Sequence, residues 1–270
     1  MANSKVLYIS QEITPYLPAT PMSVNGQKIP QGIQEKGFEV RTFMPKYGCI
    51  NDRSNNLHEV IRLSGMNIII DDTDHPLIIK VATLLPARIQ IYFIDNDDYF
   101  QPNRSKEKEL EIDKYTKDND ERIMFYVRGV IETVKKLRWE PTIVHCSGWI
   151  TALTPMYLKR IYQEDPSFRA SKTVYALYDT KFEGALDERM CEKLKMDGFT
   201  DEDLKTIANG PVDYIALNKL AIDHCDAIAQ ASANIDQELI DYAKASGKPF
   251  LEYPGEENYV DAYAEFYNSL

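Results

Sequence analysis

Two turns of this sequence carry side chains that could take part in chemistry, and each follows a predicted β-strand. The run Thr142-Ile-Val-His-Cys-Ser-Gly-Trp149 places His145 at a strand end, where an imidazole could contact a ligand hydroxyl or transfer a proton. His145 is the best single catalytic candidate, but no complete catalytic set accompanies it. A strand-end histidine bonded only to backbone explains the same pattern equally well. The adjacent Cys146 and Ser147 form neither a metal site nor a nucleophile triad.

The second turn contains Tyr178-Asp179 and Phe182-Glu183-Gly184. It offers an aromatic face beside carboxylates, a combination that can bind a sugar through stacking and hydroxyl hydrogen bonds. A plain polar turn is an equally good interpretation. Ligands of open α/β sheets bind at the carboxyl ends of the strands, so both turns lie in a favourable position.

The loop after the first predicted strand argues against phosphate binding. A nucleotide-binding protein places glycines here, so that backbone amides approach a pyrophosphate. The segment from Gln11 to Met22 has no glycine, contains Pro15, Pro18 and Pro21, and offers no cation before Lys28. Because proline has no amide proton, this backbone is a poor phosphate cradle.

The elements that position these turns alternate between strand and helix. Lys5–Ser10 and Phe38–Phe43 read as strands on either side of a helix that ends before Gly37, which together form a β-α-β unit. Further strands are predicted at Thr142–Cys146, Thr173–Leu177 and Asp226–Gln230. We therefore predict one Rossmann-like, doubly wound, mainly parallel sheet.

The segment between these two parts of the sheet has a different pattern. Residues 57–95 are β-rich with little helix and predict an antiparallel excursion beside the main sheet. The charged stretch Asn103–Lys117 reads as a solvated loop. A long helix follows at about 119–137, and the acidic residues of Asp118-Asn-Asp-Glu-Arg122 suit the positive end of its dipole.

Composition limits the classes of partner. The formal charge is -11, from 31 basic and 42 acidic residues, which argues against nucleic acid or an anionic membrane as the main partner. The four cysteines lack metal-ligand spacing, so we expect no metal and no cofactor. With no signal-peptide pattern and no long apolar run, the sequence predicts a cytoplasmic protein.

Several strings, taken in order, resemble the N-terminal domain of the glycogen and starch synthases, glycosyltransferase family 5. Lys5–Tyr16 is similar to the family's K-V-L-x-V-x-x-E-x-x-P-F/Y opening. The other strings that carry the resemblance, in chain order, are Lys36–Val40, Met44–Tyr47, Tyr92–Phe100, Asp118–Arg122 and Trp149–Lys159. The resemblance implies the N-terminal half of a GT-B fold, which holds the growing α-glucan, whereas a second domain holds most of the nucleotide sugar.

The sequence departs from the family at the positions that contact the donor. The family's K-T-G-G-L falls on Pro18–Met22, so a lysine and both glycines are missing. Its H-C-H-D-W falls on His145–Trp149, which keeps the first histidine and the tryptophan but loses the second histidine and the aspartate. The resemblance further implies a single domain over 1–270, with 248–270 forming a tail helix that packs back on it and the donor-binding domain absent.

Three functions remain open after this comparison. In the first, a degenerate glycosyltransferase domain acts as a glucan-binding, sugar-binding or regulatory module. Its candidate ligand residues are Tyr16, His145, Trp149, Tyr178, Asp179 and Glu183. In the second, the chain is a glycosyltransferase subunit whose donor domain is a separate protein. In the third, it is a scaffold for an unrelated protein partner.

Overall fold

The computed structural model describes residues 4–101 and 117–270. The loop predicted at 103–117 falls almost wholly outside the described residues. The described part contains a sheet whose strands are, in chain order, β1 Lys5–Ser10, β2 Glu39–Pro45, β3 His58–Glu59, β4 Met66–Ile70, β5 Thr73–Leu84, β6 Ile89–Asp95, β7 Ile143–Ser147, β8 Lys172–Leu177, β9 Ala227–Gln230 and β10 Phe250–Leu251.

The helices lie on both faces of the sheet. They are α1 Pro21–Glu35, α2 Asp97–Phe100, α3 Asn119–Lys136, α4 Thr154–Arg160, α5 Met190–Met196, α6 Tyr214–His224, α7 Gln237–Ala245 and α8 Tyr259–Ser269.

The strand order is β10-β9-β8-β7-β1-β2-β6-β5-β3, with β4 paired to β5. In this spatial order, every pair of neighbouring strands between β10 and β6 is parallel. Strand β5 instead pairs antiparallel with β6, β3 and β4. The predicted doubly wound, mainly parallel sheet is confirmed. The antiparallel excursion is confirmed as β3 to β5, while β6 belongs to both regions because its other neighbour is the parallel β2.

Alternation along the central strands divides the core into two layers. In β1, Val6 and Tyr8 face the layer beneath α1 and α8, whereas Leu7 and Ile9 face the larger layer beneath α3. Both sets are almost fully buried, as expected for a central parallel strand covered by helices on both faces. Successive residues of β1 therefore pack against different helices.

Helix α8 packs closely against α1 on one face of the sheet. A Cβ at Gly32 would overlap with the Val260 side chain, so the two helices touch where α1 has no side chain. Tyr263 and Tyr267 extend from α8 into the layer formed by Tyr8 and its neighbours, and both are almost fully buried. Helix α8 thus closes this layer, which brings the preceding segment, residues 252–258, to the carboxyl edge of the sheet.

Candidate functional site

A cleft of about 610 Å³ lies at the carboxyl ends of β1, β8 and β9. Its walls come from four parts of the chain: residues 19–28 at the start of α1, Asp179 after β8, residues 231–234 after β9, and residues 253–259 in the segment before α8. This is the edge at which ligands of parallel α/β sheets bind, and the volume lies in the usual range for small-molecule sites.

The N-terminus of α1, at the floor of the cleft, is closed by the chain's own side chains. The hydroxyl oxygen of Thr20 accepts a hydrogen bond from the Ser23 amide at 3.0 Å, and the Ser23 hydroxyl oxygen accepts one from the Thr20 amide at 2.8 Å. Pro21, the first residue of the helix, has no amide proton to offer. This capping box satisfies donors that an anion would otherwise bind.

A buried carboxylate lies directly behind this helix start. Glu12 is 5% exposed, and one of its oxygens accepts a hydrogen bond from the Thr20 hydroxyl at 2.7 Å. Burial raises the pKa of Glu12, although its hydrogen bonds from Thr20 and Gln11 act in the opposite direction. In its ionised form this carboxylate repels a phosphate.

The rim of the cleft is acidic as well. Asp179, Glu256 and Glu257 are exposed on its walls, and in the described part of the chain Lys28 is the only basic residue that lines it. Asp179 accepts a hydrogen bond from the Ser232 hydroxyl at 3.0 Å. Within residues 4–101 and 117–270, neither Glu256 nor Glu257 forms an ion pair. The cleft therefore carries excess negative charge and suits a neutral or cationic ligand better than an anionic one.

Asp179 is the one sequence-predicted ligand residue that lines the cleft directly. Tyr16 is half-buried, its ring meets that of Phe93 edge-on at 4.9 Å, and burial raises the pKa of its hydroxyl to about 12. Glu183 is exposed on the turn after β8 and lies outside the residues that line the cleft. A ligand role for Tyr16 and Glu183 stays a prediction.

His145 lies inside the protein beneath α8, at 1% exposure. Its Nδ1 shares a hydrogen bond of 2.9 Å with the Tyr267 hydroxyl, and its ring packs against Tyr8 and Tyr263 at centroid distances of 5.2 and 5.3 Å. Burial lowers the pKa of His145 to about 3, so the imidazole is neutral at pH 7. His145 packs in the core and does not line the cleft, so its ligand role stays a prediction.

Trp149 and Tyr178 also form part of the interior. Trp149 is 1% exposed and its ring contacts Phe182 at 4.7 Å. Tyr178 is 3% exposed, its carbonyl oxygen accepts a hydrogen bond from the Tyr214 hydroxyl, and its own hydroxyl reaches the side chain of Asn25. Because Asn25 lines the cleft, Tyr178 can position a cleft residue without touching the ligand itself.

Sequence reasoning missed most of the residues that line the cleft. Asn25 lies on the first helix, Ser232 follows β9, and Tyr253, Glu256 and Tyr259 come from residues 248–270, for which the sequence predicts only a tail helix. The local signal was the pair of adjacent glutamates, Glu256 and Glu257, between two tyrosines. No local pattern reveals that this segment returns to the end of β1.

Residues 4–101 and 117–270 contain no group of three or more histidine, cysteine, aspartate or glutamate side chains that could hold a metal ion. Among the same residues, no helix is both long and apolar enough to cross a bilayer.

Comparisons with known proteins agree with the fold. The family model described as the starch synthase catalytic domain matches residues 5–250. The glycogen synthase of Pelodictyon phaeoclathratiforme is 33% identical over 238 residues, which cover 88% of this chain and 47% of that protein. The glycogen synthase of Chlorobium luteolum is 37% identical over 192 residues, which cover 71% of this chain and 39% of that protein.

A solved structure extends the likeness to three dimensions. The catalytic domain of starch synthase IV from Arabidopsis thaliana, bound to ADP and acarbose, matches with a TM-score of 0.70 at 16% identity and covers 93% of this chain and 51% of that chain. At this identity the match concerns the fold, which corresponds to one Rossmann-like half of a GT-B fold. The chain spans about half the length of the relatives it matches. By its family match, this chain belongs to the starch synthase catalytic domain family, glycosyltransferase family 5.

Proposed function

We propose that this chain binds a neutral α-glucan or a small sugar in the cleft at the carboxyl edge of the sheet, as a sugar-sensing or regulatory module, and does not transfer glucose by itself. The observation that carries the proposal is the closed N-terminus of α1. The capping box of Thr20 and Ser23 satisfies backbone donors, and Glu12 lies behind it, at the place where a donor diphosphate would need amides and a cation.

The cleft walls supply groups that suit a neutral saccharide. Carboxylates such as Asp179 accept hydrogen bonds from sugar hydroxyls, and the Asn25 amide and Ser232 hydroxyl add further partners. Tyr253 and Tyr259 offer aromatic faces for the apolar face of a pyranose ring. The related starch synthase IV was solved with both ADP and acarbose. For this chain, we expect a sugar ligand of that kind to be retained and a nucleotide to be lost.

The expected loss of glucose transfer follows from how much each missing donor-contacting group contributes to the reaction rate. Removal of one preorganised donor that stabilises developing charge lowers an enzyme's rate by about 10²–10³-fold. Here the family's lysine and two glycines are replaced together by residues of Pro18–Met22, and the remaining histidine, His145, is buried and neutral. Binding can survive these changes because it does not require a leaving diphosphate to be neutralised.

Isothermal titration of the full chain with maltoheptaose, ADP and ADP-glucose tests the proposal. We expect heat with maltoheptaose at micromolar to millimolar concentration and none with either nucleotide. Asp179→Asn should weaken maltoheptaose binding by about tenfold, because hydrogen bonds to a charged group contribute about 1.5–3 kcal/mol. The matched control is Glu164→Gln, which removes an exposed carboxylate outside the cleft and should leave affinity unchanged.

Three results would count against this function. Absence of heat with millimolar maltoheptaose would exclude the sugar site. Binding of ADP, or transfer of labelled glucose by the purified chain alone, would show that the closed helix start does not prevent donor binding. Transfer that appears only after addition of a second protein would favour the subunit hypothesis instead.

A further inference from the structure

A small chamber adjoins the cleft and shares part of its lining. Its volume is about 20 Å³, and its wall includes Asn25, Tyr253, Glu256 and Tyr259, which also line the main cleft. Space of this size admits one water-sized group but not a sugar ring. Because the chamber shares walls with the cleft, it has room for a single small substituent of a ligand that occupies the cleft.

Tyr263 forms the innermost part of the chamber wall. It is 1% exposed, and within the described part of the chain its hydroxyl has no hydrogen-bond partner. Burial raises the pKa of this hydroxyl, so it stays protonated at neutral pH and can both donate and accept. Buried polar groups are nearly always paired, so an unpaired hydroxyl at the end of a ligand cleft needs an explanation.

The next tyrosine on the same face of α8 shows that packing in this layer does not force a tyrosine hydroxyl to remain unpaired. Tyr267, one helical turn further along α8, is equally buried, but its hydroxyl contacts His145 Nδ1 at 2.9 Å and accepts from the Tyr8 hydroxyl at 3.2 Å. Thus α8 carries one tyrosine whose buried hydroxyl is paired and one, Tyr263, that lines the chamber and whose hydroxyl has no partner among the described residues.

We propose that Tyr263 is a ligand-recognition residue, whose hydroxyl binds one hydroxyl group that the saccharide inserts into the chamber. The inference rests on the proposed function, because it assumes that a sugar ring occupies the main cleft. Glu256 can accept from the inserted hydroxyl and Asn25 can donate to it, so the group meets both kinds of partner. A phosphate ester is excluded from this place by its size and by the charge of Glu256.

This assignment makes the segment before α8 part of the site. Residues 253–256 form one side of the chamber, and Tyr259 and Tyr263 belong to α8. Recognition by hydroxyl insertion also selects among saccharides. A site that hydrogen-bonds a ligand hydroxyl discriminates strongly against the analogue that lacks it, because its own buried polar group is then left unpaired.

The substitution Tyr263→Phe tests the inference by removing only the hydroxyl. We expect affinity for maltoheptaose, measured by titration of the full chain, to fall about tenfold, in line with the loss of one hydrogen bond. The unfolding midpoint of the free protein should stay the same or rise, since the hydroxyl has no partner to lose. The matched control Tyr267→Phe removes a paired hydroxyl and should lower the midpoint while changing affinity less than twofold.

A second readout compares ligands within one protein, so it does not depend on the absolute affinity of the variant. Monodeoxy analogues of maltose are titrated into the wild-type protein and into Tyr263→Phe. We expect one analogue to bind the wild type about tenfold more weakly than maltose does, and to bind the variant as well as maltose does. Such non-additivity is the mark of two groups in contact.

The outcomes separate the two proposals. Equal maltoheptaose affinity of the wild type and Tyr263→Phe would overturn the inference, showing that the chamber holds only water, while the proposed function would stand. The inference would also be overturned if every deoxy analogue lost the same affinity in the wild type and in Tyr263→Phe. Absence of maltoheptaose binding by the wild type would refute the proposed function and, with it, the role of Tyr263.

Discussion

Replacement of His145 by asparagine should remove a large part of the acid sensitivity of this fold. The histidine lies at 1% exposure, and the rings around it belong to Tyr8, Tyr263 and Tyr267, which are uncharged at neutral pH. Among the described residues no charge stabilises the imidazolium, and burial sets its titration. Asparagine carries a polar atom at the position of Nδ1, which keeps a partner for the Tyr267 hydroxyl, and it does not titrate.

The magnitude follows from the shift of the pKa. Burial lowers the pKa of His145 from 6.5 to about 3, so the unfolded chain takes up the proton first as the pH falls. The contribution of the neutral histidine is complete above pH 6.5 and is lost progressively down to about pH 3. Inside this window each pH unit lowers the free energy of unfolding by about 1.4 kcal/mol. Acidification from pH 7 to pH 5 should therefore cost about 2 kcal/mol through His145.

Urea unfolding of the wild type and His145→Asn at pH 7 and pH 5 measures this difference. With an m value of about 3 kcal/mol/M, the wild-type midpoint should fall by about 0.7 M more than that of the variant. Glu12 and His224 also have shifted pKa values, but both titrate in either protein and so cancel in the comparison. Equal midpoint losses in the two proteins would refute the idea that His145 is buried and neutral.

Two further substitutions test the packing around the site. Gly26→Ala should lower the free energy of unfolding by about 1–3 kcal/mol, because the added Cβ would overlap with the carbonyl oxygen of Glu12; an unchanged urea midpoint would contradict this close approach. Lys193→Met should cost about 3–5 kcal/mol at pH 7, since the buried ammonium contacts Asp120 at 2.8 Å and Glu121 at 2.7 Å. The loss should shrink at pH 5, because burial raises the pKa of Asp120 and the uncompensated carboxyl takes up a proton; Lys205→Met, at an exposed ion pair, is the control and should leave the midpoint unchanged.

The sheet could be predicted closely because its signals are local. The run at Lys5–Ser10 coincides with β1, and the amphipathic stretch predicted at about 119–137 coincides with α3 Asn119–Lys136. Strand β4 and the helices α5 and α6 were not predicted. Their patterns are weaker, since α6 is apolar around most of its surface and β4 is short and pairs only with β5.

The site was harder to predict because its walls are distant in sequence. Asp179 was found because it follows a strand, whereas its hydrogen-bond partner Ser232 lies 53 positions further on. His145, Trp149 and Tyr178 were chosen for the same positional reason, yet they lie in the interior. Alternation within a strand tells which residues share a face, but it does not tell which helix covers that face.

The sequence by itself determined the family, the mainly parallel sheet and the glycine-free loop after β1. These properties depend on residue types at neighbouring positions, which act through local propensity and backbone donors. Only the tertiary structure decided that α8 covers His145 and that residues 253–259 line the cleft. It also decided that Tyr263 lines the chamber with a hydroxyl that has no hydrogen-bond partner among the described residues. Those facts arise from the docking of α8 on α1 near Gly32, a contact between segments more than two hundred residues apart that depends on shape and burial.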